Sequence, residues 1–196
     1  MTVFAPTELL WALIGLILTI GGTLLEAFIT SPPWSWGGGG MHVLSLGVSY
    51  QIGAVLLVGC LGGKNAAAIS QIAYILLGLV GFNVFTEGHG IDYIYRPSFG
   101  YLLGFIPGAW VCGLLAFRVP TRLESLAFSC VMGLLTIHLT GLSYLLMMYS
   151  FNWVDVTASP LGQLIVSYSV DRLPGQLAVV CAVAVLSYVL RHLMFY

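Results

Sequence analysis

Arg96 and Arg118 flank an apolar run, "YRPSFGYLLGFIPGAWVCGLLAFR" over residues 95–118, in a chain that holds only six Lys and Arg. Burying such a charge inside a span costs roughly 2.5–3.5 kcal/mol on membrane-insertion scales unless it is compensated. Arg96 therefore needs either a carboxylate, with Glu87, Asp92 and Asp171 as candidates, or an anionic ligand. Gln51, Tyr74, Asn83, Tyr101 and Asp171 are further polar or aromatic groups in or beside apolar segments, where lipid would penalise them if they faced outward. One cavity into which they all pointed would satisfy them together. The chemistry this suggests is recognition of an anion with polar groups, not bond breaking. No His-x-x-x-His pair, Gly-x-Ser-x-Gly elbow or P-loop is present, so no catalytic residue is expected and the chain cannot itself spend ATP. Cys60, Cys112, Cys130 and Cys181 occur singly, without C-x-x-C spacing, and His42, His89, His138 and His192 are scattered. No metal site, cofactor or disulfide framework is expected from these spacings. His138 reads as a hydrogen-bonded core histidine.

The elements that must position these groups follow from composition. The chain is 59% hydrophobic and 7% charged, with a mean hydropathy of +1.01, against roughly 25% charged in a soluble domain. This is the composition of an integral membrane protein, and 196 residues hold one polytopic domain, residues 1–196. A net charge of −1 argues against nucleic acid as a partner, since phosphates need a basic face.

About 20 apolar residues rising 1.5 Å each cross a hydrocarbon core of about 30 Å. On that rule the sequence predicts an all-α bundle of six transmembrane helices: Leu9–Ile29, Val43–Leu61, Ala66–Phe85, Ser98–Phe117, Leu123–Tyr149 and Leu173–Leu193. No Lys or Arg precedes the first run, so it is expected to stay as a span and not be cleaved as a signal peptide. Six spans put both termini on one side. Placing them in the cytoplasm assigns Lys64, Arg118, Arg122 and Arg191 inside and Arg96 and Arg172 outside, the bias that the positive-inside rule favours. The expected location is the cell inner (plasma) membrane, with lipid around the bundle.

Gly100, Gly104 and Gly108 form a small-residue stripe continued by Cys112, which lets a neighbouring helix approach closely, and Pro107 lies within it. The first span carries a second stripe, Ala12, Gly15, Thr19 and Gly22. It is either an internal seam or a face on which a partner membrane protein docks. The connection "SPPWSWGGGGMH" reads as an interfacial anchor through Trp34 and Trp36, or as an aromatic flap hinged at Gly37 to Gly40.

Taken in order, "LGVSYQIGAVLLVGCLGG", "ISQIAYILLGLVGFNVFTEG", "RPSFGYLLGFIPGAWVCGLLAFR", "HLTGLSYLL", "LGQLIVSYSV" and "LPGQL" resemble the BioY family of biotin transporters, the substrate-binding S components of energy-coupling factor transporters. The resemblance runs from about Leu46 to Val180. It implies six helices with cytoplasmic termini, an outward-facing pocket for biotin as transported ligand, and association with an energy-coupling transmembrane protein and ATPases. By the same resemblance Gln51 takes the place of a pocket glutamine, Tyr74 that of a third-helix tyrosine, and Arg96 precedes the motif-bearing fourth helix. Asn83 stands where many members carry proline.

The sixth helix departs from the family's "PGDLxK"-like start, with Gln176 at the acidic position and Val179 at the lysine position. The family often has Ala-x-x-x-Ala on its first helix for meeting the coupling protein, whereas this chain offers Ala12, Gly15, Thr19 and Gly22. Biotin carries a carboxylate at one end and a ureido ring at the other. An arginine fork suits the first, amide and carboxylate oxygens suit the second, and aromatic walls suit the apolar part between them. The expected substrate contacts are Gln51, Tyr74, Asn83, Arg96, Tyr101, Asp171 and Gln176, with Arg96 on the carboxylate. The alternatives are the same scaffold for another vitamin-like carboxylate, or a noncatalytic membrane scaffold.

Overall fold

The structure, a computed structural model, describes residues 6–30, 43–151, 153 and 160–194. Among the described residues, five helical stretches are long and apolar enough to cross a membrane. They are α1 (Pro6–Leu24), α2 (Gln51–Val80), α3 (Phe99–Ala116), α4 (Leu123–Ser150) and a last stretch, Leu161–Met194. The last is built from α5 (Leu161–Ile165), a π-helical turn (Val166–Val170) and α6 (Leu173–Met194). α1 and α4 expose apolar stripes suited to lipid, Leu10, Leu13 and Ile17 on the first and Leu135, Leu139 and Leu146 on the second, whereas α3 exposes only Trp110.

α2 is not one rod. Gly63 has φ 79° and ψ 175°, a backbone state that glycine tolerates because it lacks Cβ, and the chain reverses there. A straight helix would hold Gln51 and Tyr74 roughly 35 Å apart, yet Gln51 Nε2 lies 2.9 Å from the Tyr74 hydroxyl. The limbs 51–62 and 64–80 are therefore an antiparallel pair. The second limb ends at Gly81, whose φ of 118° turns the chain, and Phe82 N–H bonds Leu77 O at 3.2 Å to satisfy an end carbonyl.

Two expected spans are corrected at their outer ends. Residues 26–30 and 43–49 are not helical. They are the strands β1 (Glu26–Thr30) and β2 (Val43–Ser49), paired antiparallel with Phe28 opposite Ser45 and Thr30 opposite Val43. Apolarity alone cannot separate a short strand from a helix end, and the expectation of an all-α chain gives way to a helical bundle with a two-stranded sheet over one end. The third expected span likewise stops at Val80, short of Phe85. Trp34, Trp36 and Gly37 to Gly40 lie outside the described residues.

The glycines of α3 seat it on α4. A Cβ at Gly104 would stand 2.8 Å from the Ile137 carbonyl oxygen, and one at Gly108 2.9 Å from that of Gly133. Because the obstacle is backbone, the helices would have to separate. Gly104→Ala is accordingly expected to destabilise the ligand-free protein by about 1–3 kcal/mol, read as a lower melting temperature in detergent. An unchanged melting temperature would mean that the crossing is looser than described.

The stripe on α1 is also a packing seam. Ala12, Gly15, Thr19 and Gly22 are buried, and a Cβ at Gly15 would meet Ser70 Oγ at 2.8 Å and Val58 Cγ1 at 2.9 Å, while one at Gly22 would meet the Gln51 backbone at 3.0 Å. The chain's own hairpin covers this face, which corrects the reading of these four residues as a docking surface.

The bundle has two chemically different ends. Lys64 and Arg118 line one surface groove together with Glu8 near the start of α1, and Arg191 donates to Ala116 O at 2.9 Å, beside Thr121. Arg96 and Arg172 lie at the other end, with the sheet, the loop 81–98 and the π-helical turn.

Candidate functional site

A cavity of about 380 Å³ opens at the sheet-covered end, within the size range of small-molecule sites. Its wall is assembled from six places in the chain: Thr23 and Leu24 ending α1, Glu26 and Val48 on the sheet, Gln51 and Ile52 opening α2, Glu87, Tyr93 and Ser98 before α3, Tyr101 and Phe105 on α3, and Tyr168, Arg172 and Gln176 from the last stretch.

Two amides sit at its floor, Gln51 at 6% and Gln176 at 5% exposure. Gln51 Nε2 donates to the Tyr74 hydroxyl at 2.9 Å. Tyr74 in turn donates to Val84 O at 2.7 Å and lies 3.3 Å from Thr23 Oγ1, so it anchors Gln51 from behind. With one N–H of its amide so engaged, Gln51 has its carbonyl oxygen available as an acceptor. Gln176 is fixed the other way round. His138 Nε2 lies 2.6 Å from Gln176 Oε1, and since that oxygen can only accept, the imidazole carries its proton on Nε2. Its Nδ1 then accepts from Ser169 Oγ at 3.2 Å, and Ser169 accepts from the Tyr101 hydroxyl at 2.7 Å. This chain leaves the Gln176 N–H₂ free to donate. The floor thus offers one acceptor and one donor.

The rim is charged. Arg172 lies over the Tyr168 ring at 5.4 Å, and Tyr168 stacks on Tyr101 at 6.0 Å and 21°. The π-helical turn supplies this alignment, and such turns are frequent at functional sites. Across the opening Ser98 Oγ donates to Glu87 Oε2 at 2.7 Å and lies 3.1 Å from the Tyr93 hydroxyl. Tyr93, in the 3₁₀ turn Ile91–Tyr95, is pushed above the ordinary tyrosine range mainly by burial, with the Glu87 charge adding to it, and it stays a neutral phenol at physiological pH. Behind it an aromatic row, Tyr74, Phe85, Tyr93, Phe99 and Tyr144, runs in contacts of 4.6–6.2 Å. Phe85 can close that row because Gly78 leaves room, a Cβ there standing 2.0 Å from the ring.

Of the residues expected at the site, Gln51, Tyr101 and Gln176 line the cavity and Tyr74 supports it from the second limb of α2. Three stand elsewhere. Asn83 is exposed beyond the Gly81 cap. Asp171 faces a separate shallow groove with Gly162 and Gln163. Arg96 is exposed and outside the cavity wall, although within electrostatic reach of Tyr168. The cation in the wall is Arg172, one turn before Gln176 on the same face, and that spacing is the signal that could have found it. Val179, at the family's lysine position, packs in the core, with its Cγ1 2.8 Å from where a Cβ on Gly53 would be. The cysteines do not stay apart either: folding brings Cys60, Cys112 and Cys130 together.

Comparisons with known proteins agree with this architecture. The chain is 41% identical over 112 residues to the "Probable biotin transporter BioY" of Lysinibacillus sphaericus, covering 56% of each chain. It is 38% identical over 92 residues to the "Biotin transporter BioY" of Thermotoga maritima, covering 46% of this chain and 54% of that one. These matches span about half the length of each relative. Its fold is that of the crystal structure of the S-component for biotin from an ECF-type ABC transporter, with a TM-score of 0.67 over 95% of this chain and 90% of that one, at 20% identity. The BioY family model matches residues 17–195, and the chain belongs to the BioY family.

Proposed function

We propose that this protein is a biotin-binding membrane component that takes the vitamin up across the cell membrane, with the ureido ring on the Gln51 and Gln176 floor and the carboxylate at Arg172. The observation that carries the reading is the complementary floor. A ureido group presents N–H donors beside a carbonyl acceptor, and the cavity wall carries a carbonyl from Gln51 and an N–H₂ from Gln176. Desolvation supports the same orientation, because the uncharged ring enters the buried end while the carboxylate stays at an exposed cation and avoids the cost of burying a charge. Leu102 and Phe105 offer apolar cover for the bicycle and chain between them. Arg96, outside the wall, acts as a second positive charge near the mouth.

Counting the two limbs of α2 separately gives six crossings. With Lys64, Arg118, Arg122 and Arg191 at one end, the positive-inside rule supports both termini in the cytoplasm and the cavity facing outward, in the inner membrane. The likeness to an S-component from an ECF-type ABC transporter supports coupling to an energy-coupling transmembrane protein and ATPases. With the α1 stripe covered, such a partner must use another face. The protein itself is a binding component and not an enzyme.

Thermal unfolding of the detergent-purified chain against a panel of vitamins tests this. Biotin at 100 times its dissociation constant should add about 2.7 kcal/mol, with no shift from vitamins that lack a ureido ring. Stabilisation by a different carboxylate and none by biotin would assign the scaffold to another vitamin.

A further inference from the structure

At the basic end, three thiols from three helices meet. Cys60 closes the first limb of α2, Cys112 lies in the last third of α3, and Cys130 lies near the start of α4, each with 0% exposure. Cys60 Sγ is 3.6 Å from Cys112 Sγ and 3.5 Å from Cys130 Sγ, and the three sulfurs lie within 4.8 Å of one another. Cys112 Sγ also lies 3.6 Å from Leu56 O. Cys60 is nine residues from Gln51 along one limb, roughly 13 Å, so this cluster is separate from the vitamin pocket.

Its surroundings hold unused donors. Ser187 on α6 has 0% exposure, and among the described residues its Oγ makes no well-formed hydrogen bond. Arg191, one turn further, has 5% exposure and an unpartnered Nε. Ser187 lies near Cys60, and Arg191 is within electrostatic reach of it. Neutral thiols give a buried guanidinium nothing to neutralise, whereas thiolates gathered around a cation would accept from both groups. Spacing fits as well: three sulfurs bound at about 2.3 Å to one ion stand about 3.8–4.0 Å apart, a few tenths of an ångström from the separations at Cys60.

We propose that Cys60, Cys112 and Cys130 form a three-thiolate site for a soft, thiophilic cation of the Cu(I) class, with Ser187 and Arg191 donating to its sulfurs. Thiolates select such ions over hard ones. Binding replaces three S–H bonds with three S–metal bonds and releases three protons. A monovalent ion then leaves a net charge of −2 on the cluster, which Arg191 partly offsets.

The test is anaerobic titration of the reduced full chain in detergent with Cd(II) alone as the probe, followed by ultraviolet thiolate-to-metal charge transfer. The wild type should give a band that saturates at one equivalent. Cys130→Ser should weaken binding by about tenfold or more, and Cys60→Ser should do the same, with melting temperature identifying the folded variants. Cys181→Ser, the exposed cysteine of α6, should match the wild type. Absence of a saturable band in the wild type, or its persistence in a folded Cys130→Ser or Cys60→Ser protein, would overturn the proposal.

Discussion

Replacing Gln176 with leucine is expected to weaken biotin binding by about 10- to 100-fold. The side chain does two jobs at once: it accepts from His138 and offers its N–H₂ to the cavity. Leucine keeps the volume and removes both, leaving a buried imidazole N–H and a ligand carbonyl unpaired at about 1–3 kcal/mol each. Part of that cost falls on the ligand-free protein, because the His138 contact exists without biotin, so the melting temperature should drop too. Gln51→Leu separates the two effects. Tyr74 keeps its bond to Val84 O, so affinity should fall by a comparable factor with less loss of stability. Titration calorimetry beside thermal unfolding reads both quantities, and wild-type affinity in folded Gln51→Leu and Gln176→Leu proteins would remove the amide floor from the account.

The second large effect is expected at Arg172. A charge-assisted contact at an exposed rim is partly screened, so Arg172→Ala should cost about 1–2 kcal/mol, or roughly 5- to 30-fold in affinity. Arg172→Lys should recover part of this, since an ammonium keeps the charge and loses the planar fork that also stacks on Tyr168. Arg96→Ala should cost less than Arg172→Ala, and the difference between wild type and Arg172→Ala should shrink as ionic strength rises. A larger loss at Arg96 than at Arg172 would return the carboxylate to the residue favoured by sequence position.

That contrast marks how far the sequence could be read. Bundle class, the α3 and α4 spans and the close seam between them were legible because hydropathy and glycine spacing report directly on lipid and on backbone approach. Gln51, Tyr101 and Gln176 were legible because a polar group in an apolar helix must point inward. Asp171 and Arg172 show the limit. Adjacent helical residues point about 100° apart, so only one of them can face a given cavity, and charge type does not say which. Asn83 was misread because the helix stops at Gly81, two residues earlier. The strands at 26–30 and 43–49 were hidden inside continuous hydropathy. The thiol cluster was hidden for another reason: its cysteines are 52 and 70 residues apart in sequence, and only the packing of α2, α3 and α4 brings them together.

The most direct test of the binding account crosses the ligand's charge with the protein's. Dissociation constants for biotin and for its neutral carboxamide are measured on the wild type and on Arg172→Ala in the same detergent and salt. If the carboxylate rests at Arg172, the carboxamide binds the wild type about 5- to 30-fold more weakly than biotin does, and this penalty largely disappears in Arg172→Ala. An equal penalty in both proteins, or no saturable biotin binding to the wild type, would contradict it.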